Sequence, residues 1–125
     1  MLRATISVMM LSAIVSTPSL AVNTRLQLVL ELNGEAQRNI VRYKCDQATD
    51  LVEVEYLNAD PNFLAFVTVD GERLVFANAI SASGARYVSG RYVWWTKGGD
   101  ANLFDESNGP DAEPLVTCIE VSNTP

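Results

Sequence analysis

Apolar and polar residues alternate along most of this chain, from residue 26 to residue 121. In LVEVEYL, at Leu51–Leu57, both glutamates fall on one face, and both valines and the tyrosine fall on the other. A period of two predicts half-buried β-strands rather than helices. The predicted strands are, in order, Leu26–Leu32, Ile40–Cys45, Leu51–Leu57, Phe63–Val69, Glu72–Phe76, Ala85–Val88, Tyr92–Thr96, Ala101–Phe104 and Leu115–Val121.

Turn signals separate these strands. NADPN at residues 58–62 has the composition of a turn, and Asp70-Gly71 suits a tight hairpin turn with positive φ. About eight or nine short strands, with a turn roughly every 8–12 residues, are typical of an antiparallel barrel or sandwich. The expected fold class is therefore all-β.

The first 21 residues have the pattern of a secretory signal peptide. Arg3 precedes the uncharged run Ile6–Val15, and small residues follow at Pro18–Ala21. The run is too short to cross a bilayer as a helix, so we expect export and cleavage after about Ala21. The residue directly after that site is Val22 rather than Cys, so no lipid anchor is expected. Residues 22–125 then form one domain.

Residues 22–39 precede the main domain as an N-terminal extension. The leucines at Leu26–Leu32 alternate with other residues, and an exposed apolar strand needs cover. We predict that this extension either adds an edge strand or packs against a second copy of the chain in a homodimer.

The chain contains two cysteines, Cys45 and Cys118. In an exported chain, an even pair predicts a disulfide rather than a metal site. The bond would join the first half of the domain to the last strand. A loop of this length gives about 4 kcal/mol of stabilisation in the chain-entropy model.

Composition and charge narrow the function. The chain has no His, which excludes imidazole catalysis and the commonest zinc ligand. The acidic residues after Gly99 lack the spacing of a calcium loop, so no metal and no cofactor are expected.

The net charge is −6, yet residues 73–99 contain basic residues and no acidic one. An acidic body argues against nucleic acid and for a cationic partner, and the local basic patch favours a partner with an acidic recess.

The stretch Ser81–Leu103 is the most informative part of the chain. Its aromatic and β-branched run Tyr92–Thr96 predicts a strand, with Trp94 and Trp95 on opposite faces, one in the core and one partly exposed. Glycines interrupt the sequence on both sides of this strand, next to Ser83 and Lys97. This pattern predicts two neighbouring surface loops that present these side chains.

The chain resembles the family of bacterial envelope inhibitors of C-type lysozyme, in its periplasmic form without a lipid anchor. The resemblance covers residues 40–121 and rests on SASGARY at Ser81–Tyr87, YVWWTKGGDANL at Tyr92–Leu103, Tyr43-Lys44-Cys45, Asp70-Gly71 and Cys118. It implies a small eight-stranded antiparallel barrel. It also implies a periplasmic, non-enzymatic protein whose partner is C-type lysozyme.

Members of this family place a Ser of the first motif and a Lys of the second into the lysozyme active-site cleft, which corresponds to Ser83 and Lys97 here. We predict a lysozyme-binding surface around these two residues. Its other members are Gly84, Arg86, Tyr92 and Thr96. We interpret Arg86 and Arg91 as charges at the rim of the interface, and Tyr92 as structural support.

Two other functions compete with inhibition. Ser83 and Lys97 could act as a nucleophile and base in a His-free hydrolase, which requires a desolvated lysine. Alternatively, the barrel could carry an apolar ligand in its interior. Gly98-Gly99 in a basic surface loop argues against the first function, and the short chain predicts a narrow, filled barrel that argues against the second.

Overall fold

The structure is a computed structural model that describes residues 13–18, 27 and 29–121. Residues 31–121 contain eight antiparallel strands, each paired with its neighbours in sequence. The strands are β1 (Gln37–Cys45), β2 (Val52–Ala59), β3 (Asn62–Val69), β4 (Glu72–Ala79), β5 (Ala85–Ser89), β6 (Tyr92–Lys97), β7 (Asp100–Asp105) and β8 (Val116–Glu120). A short 3-10 helix, Glu106–Asn108, follows β7.

Pairing of β1 with β8 closes the sheet into a barrel. The predicted all-β fold, the eight-stranded antiparallel barrel and the disulfide between Cys45 and Cys118 are all confirmed. The two cysteines are cross-strand partners on β1 and β8, so the disulfide lies at the seam that closes the barrel.

Aromatic side chains fill the barrel interior. Trp94 and Phe76 are fully buried, and the Trp94 ring packs edge-on against Tyr43, with ring centroids 5.5 Å apart. The Tyr56 hydroxyl accepts a hydrogen bond from Trp94 Nε1 at 2.8 Å and lies 2.9 Å from the Tyr43 hydroxyl. Burial raises the pKa of both tyrosines, so they stay neutral and hydrogen-bonded inside the barrel.

Trp94 and Trp95 face opposite sides of β6, as the alternation predicts. Trp94 belongs to the core, whereas Trp95 lies on the outer surface and is partly exposed. The Asp70-Gly71 turn between β3 and β4 also matches its prediction, because both residues have positive φ angles, 50° and 81°.

The N-terminal predictions are only partly covered by the described residues. Contacts divide the chain into two compact units, with the boundary after Leu30. The predicted signal peptide lies outside the described residues except at 13–18, which have no regular secondary structure. The predicted strand Leu26–Leu32 is described at residues 27 and 29–32, which form no strand, so the prediction is wrong at those positions. Among the described residues, no helix is long and apolar enough to span a bilayer.

Candidate functional site

One end of the barrel carries the loop at residues 80–84 and the tight turn Gly98-Gly99. Consecutive strands run in opposite directions, so every second connection returns to the same end. The β4–β5 and β6–β7 connections are therefore neighbours, with β5 and β6 between them. They place Ser83 and Lys97 together, and we call this the Ser83 end of the barrel.

Gly84 brings the 80–84 loop into contact with β6. Its φ is +67°, in the left-handed region that glycine adopts without strain. A Cβ built on Gly84 would lie 2.3 Å from the carbonyl oxygen of Thr96 and 3.3 Å from the Cβ of Lys97. The loop can therefore lie against the end of β6 only because residue 84 has no side chain.

Ser83 and Lys97 line a common depression of about 250 Å³, together with Trp95, Asn102 and Phe104. Both side chains are exposed, and within residues 29–121 Lys97 forms no ion pair. The depression thus presents one ammonium group and one hydroxyl group to solvent. These groups can donate hydrogen bonds to carboxylates of a partner.

Neither Thr96 nor Arg86 lines this depression. The Thr96 hydroxyl oxygen lies 3.5 Å from the carbonyl oxygen of Ala85, across the β5–β6 pair. The Arg86 guanidinium forms an ion pair with Glu106, in the short helix after β7. Arg86 and Glu106 also line a small pocket of about 110 Å³ on the outer surface of the barrel, next to Trp95.

Tyr92 and Arg91 lie at the opposite end of the barrel. Tyr92 begins β6 and Lys97 ends it, which separates the two residues by roughly 17 Å along the strand. Arg91 lies in the β5–β6 turn, where its guanidinium stacks over the Tyr92 ring at 5.0 Å and pairs with Asp105 at 3.3 Å. Arg91 is therefore not part of the cluster around Ser83 and Lys97. Tyr92 is likewise not part of this cluster.

Asp105 holds the connection between β7 and β8 in place. Its side chain is largely buried and accepts hydrogen bonds from the hydroxyl and the backbone N–H of Ser107, at 2.6 and 3.0 Å. The Ser107 hydroxyl is the main cause of the lowered pKa of Asp105, and Arg91 lowers the pKa further. The carboxylate therefore caps the short helix at Glu106–Asn108.

Sequence reasoning missed two residues at the Ser83 end. The Trp95 indole N–H donates a 2.9 Å hydrogen bond to the carbonyl of Ser83. Ile80, just before the motif at Ser81–Tyr87, is 98% exposed. The position of Ile80, after an alternating strand and before a Ser- and Gly-rich loop, is a sequence signal for an exposed apolar residue. The Trp95 contact has no such signal, because it depends on strand register.

The structure does not favour either competing function. A lysine that activates a serine nucleophile must be desolvated, and Lys97 is exposed. An apolar cavity of about 150 Å³ lies beside the disulfide, and a larger depression of about 470 Å³ opens at the end of the barrel that carries Arg91 and Tyr92. Ligand pockets are usually about 300–1,000 Å³ and mostly apolar. The cavity is below this range, and the depression is lined by the charged Asp70, Arg91 and Asp105, so neither is suited to a lipid. The described residues contain no cluster of acidic or sulfur side chains suited to a metal ion.

Comparisons with known proteins agree with this architecture. Residues 43–112 match the family model described as membrane-bound lysozyme-inhibitor of c-type lysozyme. A relative named membrane-bound lysozyme inhibitor of C-type lysozyme, from Pseudomonas aeruginosa, is 45% identical over 94 residues, which is 73% of each chain. A relative of the same name from Cupriavidus necator is 43% identical over 79 residues, or 62% of each chain.

Similarity extends to a solved structure. The crystal structure of Pseudomonas aeruginosa MliC in complex with hen egg white lysozyme matches with a TM-score of 0.63 and 40% identity. The match covers 78% of this chain and 97% of that chain. The matched family model includes Ser83, Lys97 and the whole stretch Ser81–Leu103. The chain therefore belongs to the family of membrane-bound inhibitors of C-type lysozyme.

Proposed function

We propose that this protein inhibits C-type lysozyme by placing the Ser83 end of its barrel in the active-site cleft of the enzyme. Family membership supports inhibition, since the relatives are named lysozyme inhibitors and one is crystallised with a C-type lysozyme. The observation that carries the mode of binding is the joint exposure of Ser83 and Lys97 in one depression.

The chemistry of lysozyme explains why these two groups would inhibit it. Glycoside hydrolysis requires two carboxyl groups, one protonated as the acid and one ionised. The Lys97 ammonium can donate a charge-assisted hydrogen bond to the ionised carboxylate, and the Ser83 hydroxyl can bond to the other carboxyl group. Both carboxyl groups would then be occupied, and the polysaccharide would be excluded from the cleft. Gly84 and Thr96 would lie at the edge of this contact, with Arg86 further out.

Charge would bring the two proteins together. The chain has a net charge of −6, whereas lysozyme is cationic, so the encounter is favourable at long range. The exposed Lys97 ammonium at the Ser83 end would then meet the acidic recess of the cleft. Electrostatic attraction of this kind chiefly raises the association rate, and salt weakens it.

The proposed function also requires a location in the cell where the protein can meet lysozyme. The family name supports an exported protein of the bacterial envelope. From the sequence we further propose a periplasmic protein that is cleaved after about Ala21 and has no lipid anchor, because the next residue is Val22 rather than Cys. We also retain the homodimer through residues 22–39 as a proposal, since Val29 is 82% exposed and Leu30 is 49% exposed.

A lysis assay tests the proposed function directly. Lysozyme lowers the turbidity of a suspension of bacterial cell walls, and we expect the purified protein to stop this decrease in proportion to its concentration. A lysozyme of unrelated type at the same activity is the control, because it lacks the same cleft. Unchanged lysis by C-type lysozyme at a large molar excess of the protein would refute the proposal.

Replacement of Ser83 should weaken binding without affecting the fold. Ser83→Ala removes one hydrogen bond to a charged partner, so we expect a loss of about 1.5–3 kcal/mol in binding free energy. Its side chain is exposed, and thermal stability should stay at the wild-type level. Binding to surface-immobilised lysozyme measures the loss.

Arg91→Ala is the matched control for Ser83→Ala. Arg91 lies at the opposite end of the barrel, so we expect its removal to change the binding free energy by less than about 0.5 kcal/mol. If Arg91→Ala weakens binding more than Ser83→Ala, lysozyme contacts the other end of the barrel and the proposed mode of binding is wrong.

A further inference from the structure

Among the described residues, one side-chain hydrogen bond joins the 80–84 loop to β6 and another lies within the loop. The Trp95 indole Nε1 donates to the carbonyl of Ser83 at 2.9 Å, and the Ser81 hydroxyl donates to the carbonyl of Gly84 at 3.0 Å. The last register pair between β4 and β5 is Ala79 with Arg86, so the loop lies beyond the ladder of that hairpin. Its conformation therefore depends on contacts of this kind.

Trp95 lies on a strand that is paired on both sides, so its backbone is well ordered. The strand is β6, and the partners of Trp95 are Arg86 of β5 and Asn102 of β7. A Cβ built on Gly84 would lie 3.1 Å from Trp95 Nε1, so the loop backbone packs directly on the indole edge. The indole thus contacts the loop at two consecutive residues, Ser83 and Gly84.

We propose that Trp95 is a positioning residue for lysozyme binding, because its indole N–H holds the carbonyl of Ser83 and so fixes the Ser83 hydroxyl before the enzyme is met. This inference rests on the proposed function, and it gives Trp95 an indirect role in binding that acts through Ser83. A loop that is already ordered loses less conformational entropy when it enters a cleft. Trp95 therefore contributes to affinity chiefly through the conformation of Ser83.

Trp95→Phe separates the hydrogen bond from the bulk of the ring. The variant keeps an aromatic side chain on the outer surface and loses the donor. A typical hydrogen bond corresponds to about a three- to tenfold change in an equilibrium constant, so we expect the dissociation constant for lysozyme to rise by that factor. Trp94→Phe is the matched control, since its indole donates inside the barrel to Tyr56, and it should lower thermal stability while leaving affinity unchanged.

A double-mutant cycle with Ser83→Ala distinguishes positioning from direct contact. If Trp95 acts through Ser83, Trp95→Phe should cost less than about twofold in affinity once Ser83 is alanine, because the group that it positions is gone. An equal loss in both backgrounds would show that Trp95 contacts lysozyme itself, and would overturn the proposal. If Trp95→Phe does not fold, 3-benzothienylalanine at position 95 keeps the shape of the indole and removes only the N–H.

Hydrogen exchange of the free protein completes the test without lysozyme. Amide protons at residues 83–85 should exchange faster in Trp95→Phe than in wild type, and those of β1 and β2 should not change. Unchanged exchange at residues 83–85 would overturn the proposal whatever the affinities are. If wild type fails to bind lysozyme at all, the proposed function is wrong, and the exchange rates still decide whether Trp95 orders the loop.

Discussion

Replacement of both Cys45 and Cys118 by alanine should lower the free energy of unfolding by about 4 kcal/mol. The two cysteines are 73 residues apart in sequence, so their bond removes a large amount of conformational entropy from the unfolded chain. Typical domains are stable by about 5–15 kcal/mol, so this single crosslink supplies a large share of the total.

The position of the disulfide makes the barrel especially sensitive to its loss. Cys45 and Cys118 face each other across the β1–β8 seam, whose register contains three residue pairs. By comparison, the β1–β2 pairing contains seven. The seam also joins strands from the two halves of the domain, so local hairpin formation cannot close it. We therefore expect the barrel to open at β1–β8 first when the bond is absent.

Urea unfolding of wild type and of the double variant measures the loss, and hydrogen exchange locates it. Wild type with its thiols reduced is the control, and it should match the double variant. A difference in the free energy of unfolding below about 1 kcal/mol would show that the seam is stable without the crosslink. Faster exchange spread evenly over all eight strands would contradict opening at β1–β8.

The strands were predictable from sequence because their signals are local. Alternation marks which residues face inward, as Val54 and Tyr56 do in β2, and the Asp70-Gly71 dipeptide marks its own turn. The N-terminal extension shows the limit of this signal. Leucines occupy every second position from Leu26 to Leu32, but the described residues 29–32 form no strand. A strand also needs a partner with free backbone groups, and alternation alone does not provide one.

The candidate site was only partly predictable, because it depends on which ends of strands meet. Ser83 and Lys97 were identified through motifs, and the topology places them together. Arg91 is nearer to Ser83 in sequence than Lys97 is, but it precedes β6, whose far end carries Lys97, so it lies at the other end of the barrel. The bond from Trp95 to Ser83 depends on the register that sets Arg86 opposite Trp95, and no pattern within either segment encodes that register.

Lys97→Ala should cause the largest loss of lysozyme binding of any single substitution at the Ser83 end. If the Lys97 ammonium meets an ionised carboxylate in a cleft that excludes water, the variant leaves that carboxylate without its partner. The expected cost is about 2–5 kcal/mol, chiefly through faster dissociation. Lys97 is exposed and has no ion pair within residues 29–121, so the free protein should keep its wild-type thermal stability.

Lys97→Met separates the charge of this side chain from its packing. The methionine keeps an apolar stem of similar length and loses the ammonium group, so we expect it to lose nearly as much affinity as Lys97→Ala. Dissociation rates at low and at physiological salt distinguish a direct ion pair from long-range steering, because steering acts on association and fades with salt. Full inhibition by a folded Lys97→Ala variant would refute insertion of Lys97 into the cleft. If Lys97→Ala loses inhibition and Lys97→Met keeps it, the contribution comes from the apolar stem and not from the charge.

The expected losses of affinity decrease in the order Lys97→Ala, Ser83→Ala, Trp95→Phe. The first variant removes a charge and the second removes a hydroxyl that bonds to the enzyme. The third removes a donor that only positions that hydroxyl.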